Sequence, residues 1–290
     1  MRRIAIPTLV LLYTACNPSA KKEGNTAQQN DSNITQVTPT QVPAASGDTG
    51  TLAFGFSNEK GNMIAVSMED TLKDATIFTY TISAKGELIP GIKFLKRKQE
   101  GKDENGRQMA HNFNNADGYI FASTGGNIDA DETAVLLSKD FMTKRKFLPL
   151  KGIAGDSVPV TIKAMVEKDK QRSIKRYKLL SRVDGKSNIA LFEFEGKEGS
   201  MLAALAFISD GKAIYYDYPA QYDDMSTWSV DDGGEFGLDY YKILAAFDNN
   251  GHIELVTDWY DTEGANAYFL REEDGKFKVV KQGYRYMAPL

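Results

Sequence analysis

The densest concentration of chemically capable side chains runs from Tyr215 to Glu235. It holds Tyr218, Tyr222, Asp223, Asp224, Trp228, Asp231, Asp232 and Glu235 within a single short stretch. Aromatic rings beside carboxylates suit three tasks: a sugar-binding platform, a cation site, or an acid pair for glycoside hydrolysis. Hydrolysis of that kind needs two carboxylates about 5–10 Å apart across a cleft. Several pairs in this stretch could meet that distance. The alternative places Tyr216, Tyr218 and Trp228 in the core and leaves the acids on a long solvated loop.

A second candidate is Phe247-Asp248-Asn249-Asn250-Gly251-His252-Ile253-Glu254. Asp248, Asn250 and Glu254 offer oxygen donors at alternating positions around a glycine, and Ca²⁺ takes 6–8 such donors at loose geometry. The stretch resembles the calcium loop of FG-GAP (integrin-type) propeller repeats, with Ala246 where that family carries its first acid. The resemblance implies a Ca²⁺ site at Asp248, Asn250 and Glu254. Asn-Gly is by itself also a strong hairpin signal. Asn127 to Glu132 alternates oxygen side chains too, but lacks the glycine and closing glutamate of an EF-hand loop.

The third candidate is Cys16, the only cysteine in the chain. Arg2 and Arg3 lead into the apolar run Ile4 to Leu12, and Thr14-Ala15 supplies a small-residue exit before the cysteine. That order is a secretory signal, too short to span a bilayer. Tyr13-Thr14-Ala15-Cys16 resembles the lipobox of bacterial lipoproteins, with Tyr13 where leucine is usual. The resemblance implies cleavage before Cys16, lipidation of its sulfur and a membrane anchor in the cell envelope, at the outer membrane or the cell surface. Lipidation would also account for an odd thiol in an oxidising compartment.

These candidates need elements to position them. Residues 1–15 form the signal, and 16–50 are rich in Ser, Thr, Asn, Gln, Ala, Gly and Pro. Such a segment buries too little apolar surface to offset its ordering entropy, which predicts a tether. Residues 51–290 carry the folded part, in a chain with 42% hydrophobic and 11% aromatic residues. Short runs rich in Val, Ile, Phe, Tyr and Thr alternate with Gly, Asn and Asp turns, which predicts a mainly β fold of antiparallel sheets. Val158 to Val166 reads as one of these strands. Short helical turns are expected only at Asp70 to Lys73 and around Asp140 to Lys144. Leu52 to Val66 and Leu244 to Val256 share one pattern of apolar run, glycine turn and apolar run. Repeated four-stranded units of this kind suggest a propeller-like architecture. A β-sandwich of two packed sheets is the alternative.

Charge is uneven within a chain of net charge −4. Lys139 to Lys186 is basic, densest at Lys144-Arg145-Lys146 and Lys175-Arg176-x-Lys178, whereas Asp210 to Glu263 is strongly acidic. An exported chain of pI about 5.4 is a poor nucleic-acid binder. There is no Gly-x-Ser-x-Gly elbow, no His-Glu-x-x-His, no phosphate loop and no dinucleotide fingerprint. The expectation is a lipid-anchored envelope protein with a binding or scaffolding role, its partner a glycan or an envelope protein. The enzyme alternative is a carboxylate-dependent glycan hydrolase.

Overall fold

Alternating apolar residues separated by Asx-Gly turns fold as β hairpins, and the chain is built from them. The computed structural model describes residues 51–67, 72–83, 85–152 and 157–288. The signal, the Cys16 anchor and the tether lie outside that range, as does part of the Asp70–Lys73 turn.

The first sheet contains β1 (Leu52–Ser57), β2 (Met63–Val66), β3 (Phe78–Ile82), β4 (Leu88–Pro90), β5 (Ile92–Lys98), β6 (Gly118–Ser123) and β7 (Thr133–Ser138). Its seven strands run in the order β4-β3-β7-β1-β2-β6-β5 and curl into a half-barrel. Its two edges stay open. Pro90 on β4 and the charges Lys93, Lys96, Arg97 and Lys98 on β5 oppose edge-to-edge pairing there.

The second sheet follows the short helix α1 (Lys139–Thr143), which Ser138 caps by accepting from the Phe141 N–H. It contains β8 (Lys146–Leu148), β9 (Leu150–Lys151), β10 (Ile174–Val183), β11 (Ser187–Phe194), β12 (Ser200–Ser209), β13 (Lys212–Gln221), β14 (Tyr241–Asn249), β15 (His252–Tyr260), β16 (Gly264–Glu273) and β17 (Lys276–Tyr286). The order β8-β14-β15-β16-β17-β13-β12-β11-β10-β9 makes two four-stranded meanders. They meet at the parallel pair Tyr215↔Lys276. On the other side β8 pairs with β14 and β9 with β10. Pro149, which has no N–H to give a ladder, separates these two short strands. The sheet thereby closes almost completely on itself.

Side chains fill the barrel: Leu191, Leu205, Tyr218, Phe236, Tyr241, Leu255, Trp259 and Leu270 share one core. Eight long strands leave an interior just wide enough for that. Outside, Leu244, Phe247, Val256 and Phe269 pack against Leu52, Phe54, Val135 and Leu137 of the half-barrel. Strands covered on both faces in this way explain the continuous apolar runs in β12 and β14.

The opposite outer face is covered by α2 (Val160–Lys170), where a strand was expected. Ile162, Met165 and Val166 fall at helical spacing and pack with Val158 onto Phe192, Phe194 and Ala204. Pro159 begins the helix, and Gln171, left-handed at φ 52°, ends it. Tertiary burial overrides the β preference of these branched side chains. The expected mainly β, antiparallel fold holds. The paired Leu52–Val66 and Leu244–Val256 patterns are hairpins in two different sheets, not blades of a propeller.

The barrel has two unlike ends. At the turn end sit Asp184-Gly185, Asp210-Gly211, Asn250-Gly251 and Asp274-Gly275, both members of each pair at positive φ. The loop end carries the long connection from Tyr222 to Tyr240.

Asp258 on β15 is fully buried against the half-barrel. Burial pushes its carboxyl up to about 6, although the Thr133 hydroxyl, the Arg285 guanidinium and the Tyr260 hydroxyl pull it down. The folded chain therefore holds this proton more tightly than the unfolded chain does. The stability this supplies is complete below the ordinary value of 3.8 and is lost as pH rises to about 6. Asp258→Asn should stabilise the protein by up to about 3 kcal/mol at pH 7.5 and by almost nothing at pH 4. Urea unfolding at both values checks this.

Candidate functional site

A cleft of about 840 Å³ opens at the loop end of the barrel. One wall is the start of β10, with Lys175, Arg176 and Lys178. The other is the end of β15 and its turn, with Trp259, Tyr260, Asp261 and Thr262. The connection between β13 and β14 crosses the opening and contributes Asp231, Asp232, Glu235, Phe236, Asp239 and Tyr240.

Phe236 is the plug. Its ring is buried and stacks on Trp259, centroids 4.6 Å apart and planes 16° from parallel. It also meets Tyr218 at 5.0 Å and Trp228 at 5.4 Å. An ion pair between the buried Glu193 and the part-exposed Arg176 grips its backbone. The Phe236 N–H donates to Glu193 at 3.2 Å, and its carbonyl accepts from Arg176 at 3.0 Å. Glu193 is fully buried on β11 and also receives Arg176 Nε at 3.0 Å and Lys175 Nζ at 3.1 Å.

Glu235 adds a second carboxylate to the same two cations, at 2.9 Å from Arg176 and 3.5 Å from Lys175. Burial pulls the Lys175 ammonium down, but Glu193 and Glu235 together outweigh it and hold it above the ordinary lysine value. Lys178 pairs with Asp239 at 2.9 Å. The Thr262 hydroxyl donates to the Val230 carbonyl at 3.1 Å and ties the crossing loop to the far wall.

The aromatic–acidic stretch divides between site and scaffold. Asp231, Asp232 and Glu235 line the cleft. Tyr218 does not. It is buried in the barrel, its hydroxyl 2.7 Å from that of Tyr241, and burial with that neighbour holds its pKa well above the ordinary tyrosine value. Trp228 packs on the core and donates its indole N–H to the Tyr218 carbonyl at 3.0 Å. Tyr222 is exposed at the loop's start, beside Asp224. Asp223 is exposed and accepts from the Met225 and Ser226 N–H groups, which lowers its pKa. Asp232 accepts from the N–H groups of Thr227, Trp228, Ser229 and Gly234, and so fastens the loop to itself.

Most carboxylates in the cleft are thus engaged. Asp261 accepts from the Glu263 and Gly264 N–H groups and from Asn266. Of the acids lining the cleft, Asp231 alone is exposed with no partner. Sequence reasoning marked Lys175-Arg176-x-Lys178 as a basic point without joining it to the acidic loop sixty residues further on. It missed Trp259 through Thr262 and Tyr240 altogether.

The Asp248–Glu254 turn does not take the form the calcium resemblance implied. Glu254 is fully buried, and its oxygens are held by Arg145 and, at 2.7 Å, by Arg271 Nε. Asn249 adds a hydrogen bond at 3.1 Å, and Asp248 accepts from the Gly251 N–H at 2.6 Å. Arg145 in turn lies over the Phe141 ring, 3.9 Å from its centroid. Two guanidinium groups already neutralise the one carboxylate. Among the described residues no group of three or more His, Cys, Asp or Glu is placed to hold a metal ion.

No family model, no curated protein and no solved structure matches this chain. The site is therefore read from its own geometry.

Two outcomes test these assignments. Glu254→Ala removes the buried carboxylate that faces Arg145 and Arg271 and should cost about 3–5 kcal/mol in urea unfolding, with the wild-type melting temperature equal in excess Ca²⁺ and in EDTA. Phe236→Ala removes the plug and should cost about 3–5 kcal/mol, with tryptophan emission moving to longer wavelength as Trp259 meets water.

Proposed function

We propose that this protein is a lipid-anchored component of the cell envelope that binds a saccharide in the cleft at the loop end of its barrel. The observation that carries the reading is the composition of that cleft. An exposed Tyr240 and a half-buried Tyr260, with the buried Trp259 behind them, lie beside carboxylates and cations. Such groups suit sugar faces and hydroxyls together. The signal ending at Cys16 supports the anchor.

The place where the folded part begins agrees with this. The Thr51 N–H donates to Ser138 Oγ at 3.1 Å, and the Ser138 N–H returns a bond to the Thr51 carbonyl at 3.0 Å. Ser138 adjoins α1, whose Phe141 meets Phe247 near the turn end of β14. The folded part therefore begins at the turn end of the barrel, the end opposite the cleft.

Glycan hydrolysis finds less support. It requires two carboxylates free to act, and only Asp231 lines the cleft without a partner.

Tryptophan fluorescence tests the binding reading directly, because the chain has two tryptophans and both, Trp228 and Trp259, lie at the loop end. Titration of the full chain with neutral and acidic oligosaccharides should give a saturable change with at least one of them. Tyr240→Ala should weaken it by about 2- to 10-fold through lost ring contact, with no release of reducing ends at any point. No saturable change with any sugar would remove the saccharide reading. For the anchor, Cys16→Ser should move the protein from the detergent phase to the aqueous phase on partitioning.

A further inference from the structure

The cations at the cleft wall have two carboxylate partners of very different standing. Glu193 is fully buried, receives Lys175 and Arg176, and also holds the Phe236 N–H. It is part of the wall. One buried carboxylate facing two cations leaves a positive charge over, and Glu235 meets it from the solvent side.

Glu235 is replaceable. Its side chain is 52% exposed. Asp232 holds the backbone at the Gly234 and Glu235 N–H groups, so the Glu235 side chain can rotate into solvent without moving the loop. An exposed ion pair of this sort contributes little. Lys175 and Arg176 remain about one-third exposed beneath it. Their donors are fixed from behind by Glu193, so they stay pointed at the opening whether or not Glu235 is present.

Resting on the saccharide reading above, we propose that Lys175 and Arg176 form a carboxylate subsite whose place the Glu235 side chain occupies in the unliganded protein, and that the ligand is an acidic, uronate-bearing saccharide. The sugar carboxylate displaces Glu235 and takes its bonds to Arg176 Nη1 and Lys175 Nζ. Arg176 Nε and Nη2 stay on Glu193 and the Phe236 carbonyl, so Nη1 gives one charge-assisted bond to the sugar carboxylate and Lys175 gives the other. Asp231, exposed and unpartnered, is left to accept from sugar hydroxyls, and Tyr240 flanks the same opening. A neutral saccharide would leave Glu235 in place and gain nothing from the cation pair. A phosphate or sulfate carries the shared anionic chemistry without the ring, so a free anion is the rival occupant.

The experiment compares three probes on the full chain by tryptophan fluorescence: an oligogalacturonate, the same oligomer fully methyl-esterified, and inorganic sulfate. The proposal expects the acid oligomer to bind roughly tenfold or more tightly than its ester, a preference that shrinks at high salt. Glu235→Gln removes the internal competitor and should tighten the acid oligomer about two- to fivefold while leaving the ester unchanged. Sulfate should displace the acid oligomer only weakly.

Equal binding of acid and ester, or no gain from Glu235→Gln, overturns the carboxylate subsite while leaving saccharide binding standing. Sulfate binding as tight as the oligomer overturns the uronate assignment in favour of a simple anion site. Binding of neither oligomer removes both readings. A circular dichroism melt of Glu235→Gln within a few degrees of wild type keeps the comparison between folded proteins.

Discussion

A sheet that curls on itself must dispose of two edges, and here the short segment Lys146–Lys151 disposes of both. It pairs first with β14 and then, across Pro149, with β10. Leu148 points into the core from this segment, so the closing strand is held by packing as well as by its ladder. Everything in the barrel depends on that closure. The filled interior, the two unlike ends and the placement of β10 opposite β15 at the cleft exist only because β14 and β10 are brought to within one strand of each other. The half-barrel supports it from outside by covering β14, β15 and β16.

The cleft inherits a division of labour from this arrangement. Its floor is fixed, since Phe236 is locked by a stack on Trp259 and by bonds at its N–H to the buried Glu193 and at its carbonyl to Arg176. Its rim is exposed and glycine-rich. Charge burial of this kind rarely adds net stability over apolar packing, and its common use is to fix one arrangement among several. Here the Glu193–Arg176 pair fixes the path of a long loop that has little regular structure of its own.

Much of the fold was legible in the sequence, for a local reason. The apolar run, glycine turn and apolar run of Leu52–Val66 and of Leu244–Val256 stand as antiparallel hairpins, β1 with β2 and β14 with β15. The helix α2 was not legible, because its branched residues favour strands and only the face of Phe192 and Phe194 makes helical spacing the better choice. Barrel closure was hidden too, since nothing local reveals that the residues on either side of Pro149 take different partners. At the site, the acidic loop stood out by composition, yet Tyr218 and Trp228 serve the core. The cations that complete the cleft lie on another strand, and only the barrel brings them together. Glu254 shows the converse: a turn that looks like a metal loop contains a carboxylate already neutralised by Arg145 and Arg271, far apart from it in sequence or on the next strand.

The entry of the chain at Thr51 has a mechanical consequence. β1 starts at the turn end, runs toward the loop end, and lies between β7 and β2 in the middle of its sheet. A pull between Thr51 and the loop end would act along this strand. The ladder bonds to both neighbours are then loaded together in shear, not opened one by one as in a peeled edge strand. The same central place in the sheet makes β1 hard to pull out from its amino-terminal end.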